Sequence, residues 1–227
     1  MGNGTISQWR IEMEKAGLAE TSKSFFSDKR KDYEGLKQSG LPVFDDFVVP
    51  FEQFEEGNEK LKRFLSQHEG FVVRAIPKME GLPRRYKIGV HNFSDCQNFL
   101  HEIQRKDRSK YLVFLTEYEP TDWGGIIISR PQNIFIEVSE DGLDKLSHGQ
   151  VIPIGEYLEL CDYDHFKKIE NNASTSGRVM WSALEHLIKD SPTAGIPNLM
   201  KGYFEFVRTQ RGKIKFLDYK TNEAYLK

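Results

Sequence analysis

The stretch Gly124–Ser139, GGIIISRPQNIFIEVS, decides the fold. GGIIIS and NIFIEVS each read as a short strand, and the turn residues Ser129, Arg130 and Pro131 between them leave room only for a reversal. In the second strand Ile134, Ile136 and Val138 take one parity, while Asn133, Phe135, Glu137 and Ser139 take the other. A period of two sends these sets to opposite faces. Glu137 then has two readings. It lies on a solvated sheet face, as in most alternating antiparallel strands, or it is a metal ligand set into the sheet.

Outward from this hairpin, KYLVFLTEY (110–118) forms a strand before it, and FVVRAI (71–76) and RYKIGVH (85–91) two more. GYFEFVRTQ and KIKFLDYK close the chain as a strand pair, with Arg211, Gly212 and Lys213 as the turn. Helices are expected over 6–16 and 29–38, with Gly17 and Gly40 as C-terminal caps. LPVFDDFVV (41–49) reads as an extended entry and a short strand. Phe51, Phe54, Leu61, Phe64 and Leu65 share one face of a helix that Gly70 ends. Ser94 with Gln97 makes a capping box for a helix over 95–105, and a further helix covers 178–189 after the polar linker ENNASTSG (170–177). Helices mixed with hairpins predict an α+β fold rather than a doubly wound sheet.

The chain has 227 residues and a net charge of -2, so nothing in its overall charge calls for a nucleic acid or an anionic membrane. No apolar run reaches the ~20 residues that span a bilayer. The N-terminus lacks the apolar core of a signal peptide. Cys96 and Cys161 are in no metal-binding or redox spacing, which fits a reducing compartment, and the protein is expected to be cytoplasmic. There is no nucleophile elbow, no HExxH and no phosphate-binding GxxxxGK loop, and Gly124-Gly125 is too short to cradle phosphate.

The charged residues carry the chemistry. Glu137, Glu205 and Asp218 each sit in a strand among apolar or aromatic neighbours. On neighbouring strands of one sheet they would repel one another and call for a cation. Mg²⁺, bound through one or two carboxylates and substrate phosphates, suits such oxygen ligands. Arg74 interrupts FVVRAI and Arg130 follows GGIIIS, and arginine is the side chain best shaped for bidentate phosphate contacts. Basic patches at Lys29–Lys31 and at Arg84, Arg85 and Lys87 read as solvated faces; only Tyr86 offers stacking for a nucleic acid.

In order along the chain, LKQSGLPVFDDFVV, FVVRA, GGIIISRPQNIFIEVSEDGLDKLSHGQVIP and GYFEFVRTQRGKIKFLDYK resemble the ATP-grasp nucleotide-binding region of phosphoenolpyruvate synthase and pyruvate phosphate dikinase. The resemblance spans roughly residues 29–220. It implies two α+β subdomains with antiparallel sheets, divided as 1–115 and 116–227, and a nucleotide cleft between them. It implies ATP and Mg²⁺ as cofactors. Lys29, Arg74 and Arg130 would contact phosphate, Arg74 and Arg130 catalytically. Glu117 and Tyr118 fall where the adenine lies, Glu137 on ribose or metal, and Glu205 beside it as the second acidic residue. Asp218 stands where that family has glutamine. VRAIP lacks the family's hydroxyl residue after arginine, and VFDDF lacks its second proline and its glycine.

The function implied is Mg-ATP binding, with phosphotransferase or ligase activity if the site is active. The acceptor is a small molecule or a partner protein, and no membrane is involved. The alternative is a non-catalytic nucleotide-sensing or protein-interaction module of the same fold. A nucleic-acid-binding protein is the third and least supported reading.

Overall fold

The computed structural model describes residues 29–79, 82, 83, 85–159, 168, 170–190 and 198–220. The helix expected over 6–16, Gly17 and Cys161 lie outside them. The elements are α1 (Lys29–Gln38), β1 (Asp46–Pro50), α2 (Phe51–Glu56), α3 (Glu59–Gln67), β2 (Phe71–Pro77), β3 (Arg85–Val90) and α4 (Phe93–His101). A 3₁₀ turn (Arg105–Lys110) leads to β4 (Tyr111–Glu117), β5 (Thr121–Ser129) and β6 (Asn133–Ser139). Then come α5 (Leu143–Ser147), β7 (Ile154–Glu159), α6 (Thr175–Glu185), β8 (Ile188–Asp190), β9 (Asn198–Leu199), β10 (Gly202–Thr209) and β11 (Ile214–Lys220). All strand pairings among the described residues are antiparallel, and the class is α+β.

Contacts group Phe44–Glu119 as a mid-chain unit, and the described residues of Met1–Val43 with those of Pro120–Lys227 as a flanking unit. This grouping differs from the expected 1–115 and 116–227. Residues 29–43 go with the flanking unit because they are tied to β11. A Cβ on Gly35 would lie against the Tyr219 ring, the Phe216 N–H donates to the Pro42 carbonyl (2.8 Å), and Lys215 Nζ donates to the Val43 carbonyl (2.8 Å). Gly40 ends α1 with φ 74°, as its sequence position predicts.

In the mid-chain unit four strands run in the order β1-β4-β2-β3. Val49, Phe71, Val73, Ala75, Val113 and Leu115 fill one face and pack with Phe51, Phe54 and Leu61 of the helices and Cys96, Phe99 and Leu100 of α4. The single helix expected from Phe51 to Gly70 is two. Gly57, at φ 67°, caps α2 in the left-handed region, and Asn58 Oδ1 accepts the Leu61 N–H at 2.8 Å to start α3. The apolar stripe continues across the break, so periodicity alone joined the two. Likewise α4 is capped by Asn92, which accepts the Asp95 N–H at 2.9 Å, and not by Ser94.

In the flanking unit five strands run β11-β10-β5-β6-β7. Ile127, Ile134, Ile136, Val138, Phe204, Phe206 and Phe216 are buried on one face. The two glycines that open the deciding hairpin allow close approach on both sides of β5. A Cβ on Gly124 would strike the backbone of Leu143 in α5, and one on Gly125 would strike the Phe206 ring. Their role is packing.

Candidate functional site

Register fixes the second face of the flanking sheet. Asp218 pairs with Glu205, Glu205 with Ile126, Ile126 with Glu137, and Glu137 with Gly155. Directly paired residues of antiparallel strands point the same way. A β-bulge in the β10–β11 pairing, between Glu205 and Phe206, turns Asp218 to the face opposite Phe216, so the three carboxylates form one row on the face opposite the phenylalanine core. The backbones of Glu137 and Glu205 are two strand spacings apart, roughly 10 Å. This face also carries Ile126, Ile128, Phe135 and Tyr203, packed with Leu146 of α5.

The row is not solvated. Glu137 is 1 % exposed and Asp218 2 %, while Glu205 is half-buried. Buried carboxylates need compensation. Tyr203 donates its hydroxyl to Glu205 Oε1 at 2.8 Å, and the Tyr219 N–H donates to Asp218 Oδ1 at 3.0 Å. Lys220 Nζ lies 3.6 Å from Asp218 Oδ2, and both side chains are buried. Sequence reading passed over Lys220. Its signal was its place two residues after Asp218 on the same strand, which puts both on one face. Beside Glu137 the next strand carries Gly155, whose Cβ position is 3.5 Å from Glu137 Cγ. The donor set of the row is all oxygen, which fits Mg²⁺.

Arg130 closes the β5–β6 turn, where its N–H donates to the Asn133 carbonyl at 2.8 Å. Its carbonyl accepts from Lys201 Nζ at 3.1 Å. Burial, and then the Lys189 charge, hold the Lys201 ammonium below the usual lysine range. Lys201 was also missed in the sequence. Lys29 opens α1, and its side chain lies outside the described residues.

Arg74, Glu117 and Tyr118 belong to the mid-chain unit. Arg74 is half-buried, donates from Nη1 to Thr116 Oγ1 at 2.8 Å, and has its guanidinium 5.7 Å from the Phe114 ring centre. Glu117 pairs with Phe71 and shares the core face, whereas Arg74 pairs with Phe114 on the other. The sheet thus separates two side chains expected to serve one nucleotide. Tyr118 donates its N–H to the Gly70 carbonyl at 2.9 Å. Tyr86 pairs with Arg74, while Arg85 and Lys87 pair with Ala75 and Val73 on the other face. Tyr86 thus stands on the face of β3 opposite Arg85 and Lys87, and Arg84 lies outside the described residues. Cys96 is fully buried, and burial foremost, then the Asp95 charge, pushes its thiol up to about 12. It is neither a ligand nor a nucleophile at neutral pH.

No family model and no curated protein matches the chain. Among solved structures it is similar to the D-alanine–D-alanine ligase from Coxiella burnetii, at 11 % identity and TM-score 0.42, covering 84 % of this chain and 46 % of that one. It is similar to N5-carboxyaminoimidazole synthetase from Staphylococcus aureus complexed with ADP, at 13 % and 0.44, covering 86 % and 43 %. A third is the Chryseobacterium gregarium RiPP-associated ATP-grasp ligase in complex with ADP and a leader and core peptide, at 10 % and 0.42, covering 92 % and 62 %. The chain spans less than two thirds of each. The finer resemblance to phosphoenolpyruvate synthase has no counterpart among these three. At TM-scores below 0.5 the likenesses assign no family, substrate or residue, and the α+β class stands on the strand registers. No helix among the described residues is long and apolar enough to cross a membrane.

Proposed function

We propose that the chain is an ATP-grasp-like protein that binds Mg-ATP on the carboxylate face of its flanking unit. The observation that carries this reading is the row of Asp218, Glu205 and Glu137 in register on one sheet face, among apolar neighbours. The ordered motifs over residues 29–220 support it as well. Glu137 and Glu205 would hold the Mg²⁺, whose contribution is to neutralise phosphate charge. Asp218 stays paired with Lys220 and fixes that ammonium on the same face, where it is a second cation for phosphate oxygens. Arg130 shares the parity of Ile126 and Ile128 and lies four residues along from the row, roughly 13 Å at strand rise. Arg74 is a separate candidate for an anion contact in the mid-chain unit.

Catalysis in such a site is positioning and charge neutralisation of the transferred phosphoryl group. The acceptor, a small carboxylate or a group on a partner protein, defines a phosphotransferase or a ligase. A binding module without turnover is the alternative.

Calorimetric titration with ATP, with and without Mg²⁺, tests the proposal. Metal-dependent binding is expected, weakened about tenfold or more in Glu205→Gln. No binding at millimolar ATP overturns it. ATP turnover with candidate acceptors separates the enzyme from the module.

A further inference from the structure

His68, Asp45 and Glu117 come together in the mid-chain unit, from three separate elements. His68 is the residue that ends α3, Asp45 lies just before β1, and Glu117 ends β4. His68 Nδ1 is 3.3 Å from Glu117 Oε1, and His68 Nε2 is 3.6 Å from Asp45 Oδ2. The Asp45 N–H donates to Glu117 Oε2 at 3.3 Å, and the Glu117 N–H donates to the Asp45 carbonyl at 2.8 Å. One ligand atom from each residue lies within 4.8 Å of the others.

From this geometry we infer that Asp45, His68 and Glu117 form a binding site for a divalent transition-metal ion of the Zn²⁺ or Co²⁺ type. The ligand set is one imidazole nitrogen with two carboxylates; Glu117 faces Nδ1 and Asp45 faces Nε2, so one carboxylate swings along the ring edge to share the nitrogen that binds. Imidazole favours such ions over Mg²⁺, which takes oxygen ligands. The imidazole is held in place beforehand. Its side chain is 10 % exposed, with the Phe64 ring 4.9 Å away and the Phe71 ring edge-on at 6.3 Å. Glu117 is anchored on its strand and is 18 % exposed. Asp45 is 73 % exposed and gives the ion its way in. Metal–ligand bonds of about 2.0–2.2 Å put ligand atoms about 3–3.5 Å apart, so the cluster must tighten by roughly 1 Å. The exposed Asp45 side chain is the one free to make that movement.

The consequence is mechanical. The mid-chain unit runs from Phe44 to Glu119, so Asp45 and Glu117 stand at its two chain ends, 72 residues apart. A metal on both clips the unit shut at its base. Clips that close long loops remove the most conformational freedom from the unfolded chain. The site serves stability, independently of nucleotide.

The test is a titration of the full chain with Co²⁺ in excess Mg²⁺, followed by visible absorption and by thermal unfolding. One Co²⁺ per chain is expected, with a rise in Tm that grows with Co²⁺ concentration. His68→Gln should lose both signals, and Asp45→Asn should weaken binding about tenfold or more. Glu205→Gln should leave both unchanged, while it weakens Mg-ATP binding if the function proposed above is right. Absence of Co²⁺ binding overturns the inference, as does binding that survives His68→Gln or disappears in Glu205→Gln. If His68→Gln does not fold, Asp45→Asn decides, because that side chain is mostly in water: unchanged Co²⁺ affinity overturns the inference.

Discussion

Two groups of charged side chains, one in each unit, are built by opposite means. In the flanking unit, Asp218, Glu205 and Glu137 come from three strands of one sheet, and the ladder fixes their spacing. Two of them are almost fully buried. In the mid-chain unit, Asp45, His68 and Glu117 come from the ends of elements, and Asp45 is mostly in water. A strand-borne row cannot adjust its backbone, so its charges must be compensated where they stand, as Lys220 compensates Asp218. A cluster at element ends can open and close around what it binds. Buried, register-locked charge suits a site shaped before binding, and adjustable charge suits one that closes as its ion enters.

The largest effect expected from breaking this contrast is at Lys220. Lys220→Ala leaves Asp218 buried without its ammonium, and removing one partner of a buried pair costs about 3–5 kcal/mol. Asp45→Asn in the metal-free protein changes an exposed group and should stay within about 0.5 kcal/mol. Urea unfolding of both variants measures the difference, and equal losses would remove the distinction between the groups. Next comes Gly125→Ala, whose Cβ would push into the Phe206 ring and cost about 1–3 kcal/mol. That loss would show how tightly the sheet beneath the row is packed. A smaller effect is expected at Asn58→Ala, where α3 loses the side chain that accepts the Leu61 N–H, at about 1 kcal/mol. Because α3 carries His68 at its end, this variant should also weaken Co²⁺ binding.

The last effect is a pH dependence in the mid-chain core, silent near neutral pH. The Cys96 thiol is raised from 9.0 to about 12 by burial. Its contribution to stability is fully present below about 9 and is lost as pH rises towards about 12. In a Cys161→Ser background, a thiol reagent at pH about 9 should leave Cys96 unlabelled until the protein unfolds. Rapid labelling of the native protein would show the mid-chain core to be open.

What was legible in the sequence follows from how local each signal is. The hairpins around Arg130 and Gly212, the Gly40 cap and the parity of Glu137 need only neighbours in the chain, and the structure has them. Glu137, Glu205 and Asp218 could each be placed on a strand from their neighbours in the chain, but not on a common face. Their pairing in a single row needed the register, which no single strand encodes. The break at Gly57-Asn58 was hidden because Phe51, Phe54, Leu61 and Phe64 stay on one side across it. Lys220 was hidden because a lysine near the end of a strand reads as solvated. Asp45, His68 and Glu117 were beyond reach for a plainer reason. Their proximity is tertiary, and His68 in SQHEG carries no local pattern.

The most direct measurement is the ATP affinity of wild-type protein and of Glu137→Gln as a function of Mg²⁺ concentration, with unfolding curves on the same samples. The account predicts that wild-type affinity rises with Mg²⁺. In Glu137→Gln that dependence should largely vanish while the protein stays folded. An affinity that ignores Mg²⁺ in the wild type, or that is unchanged by the substitution, would contradict it.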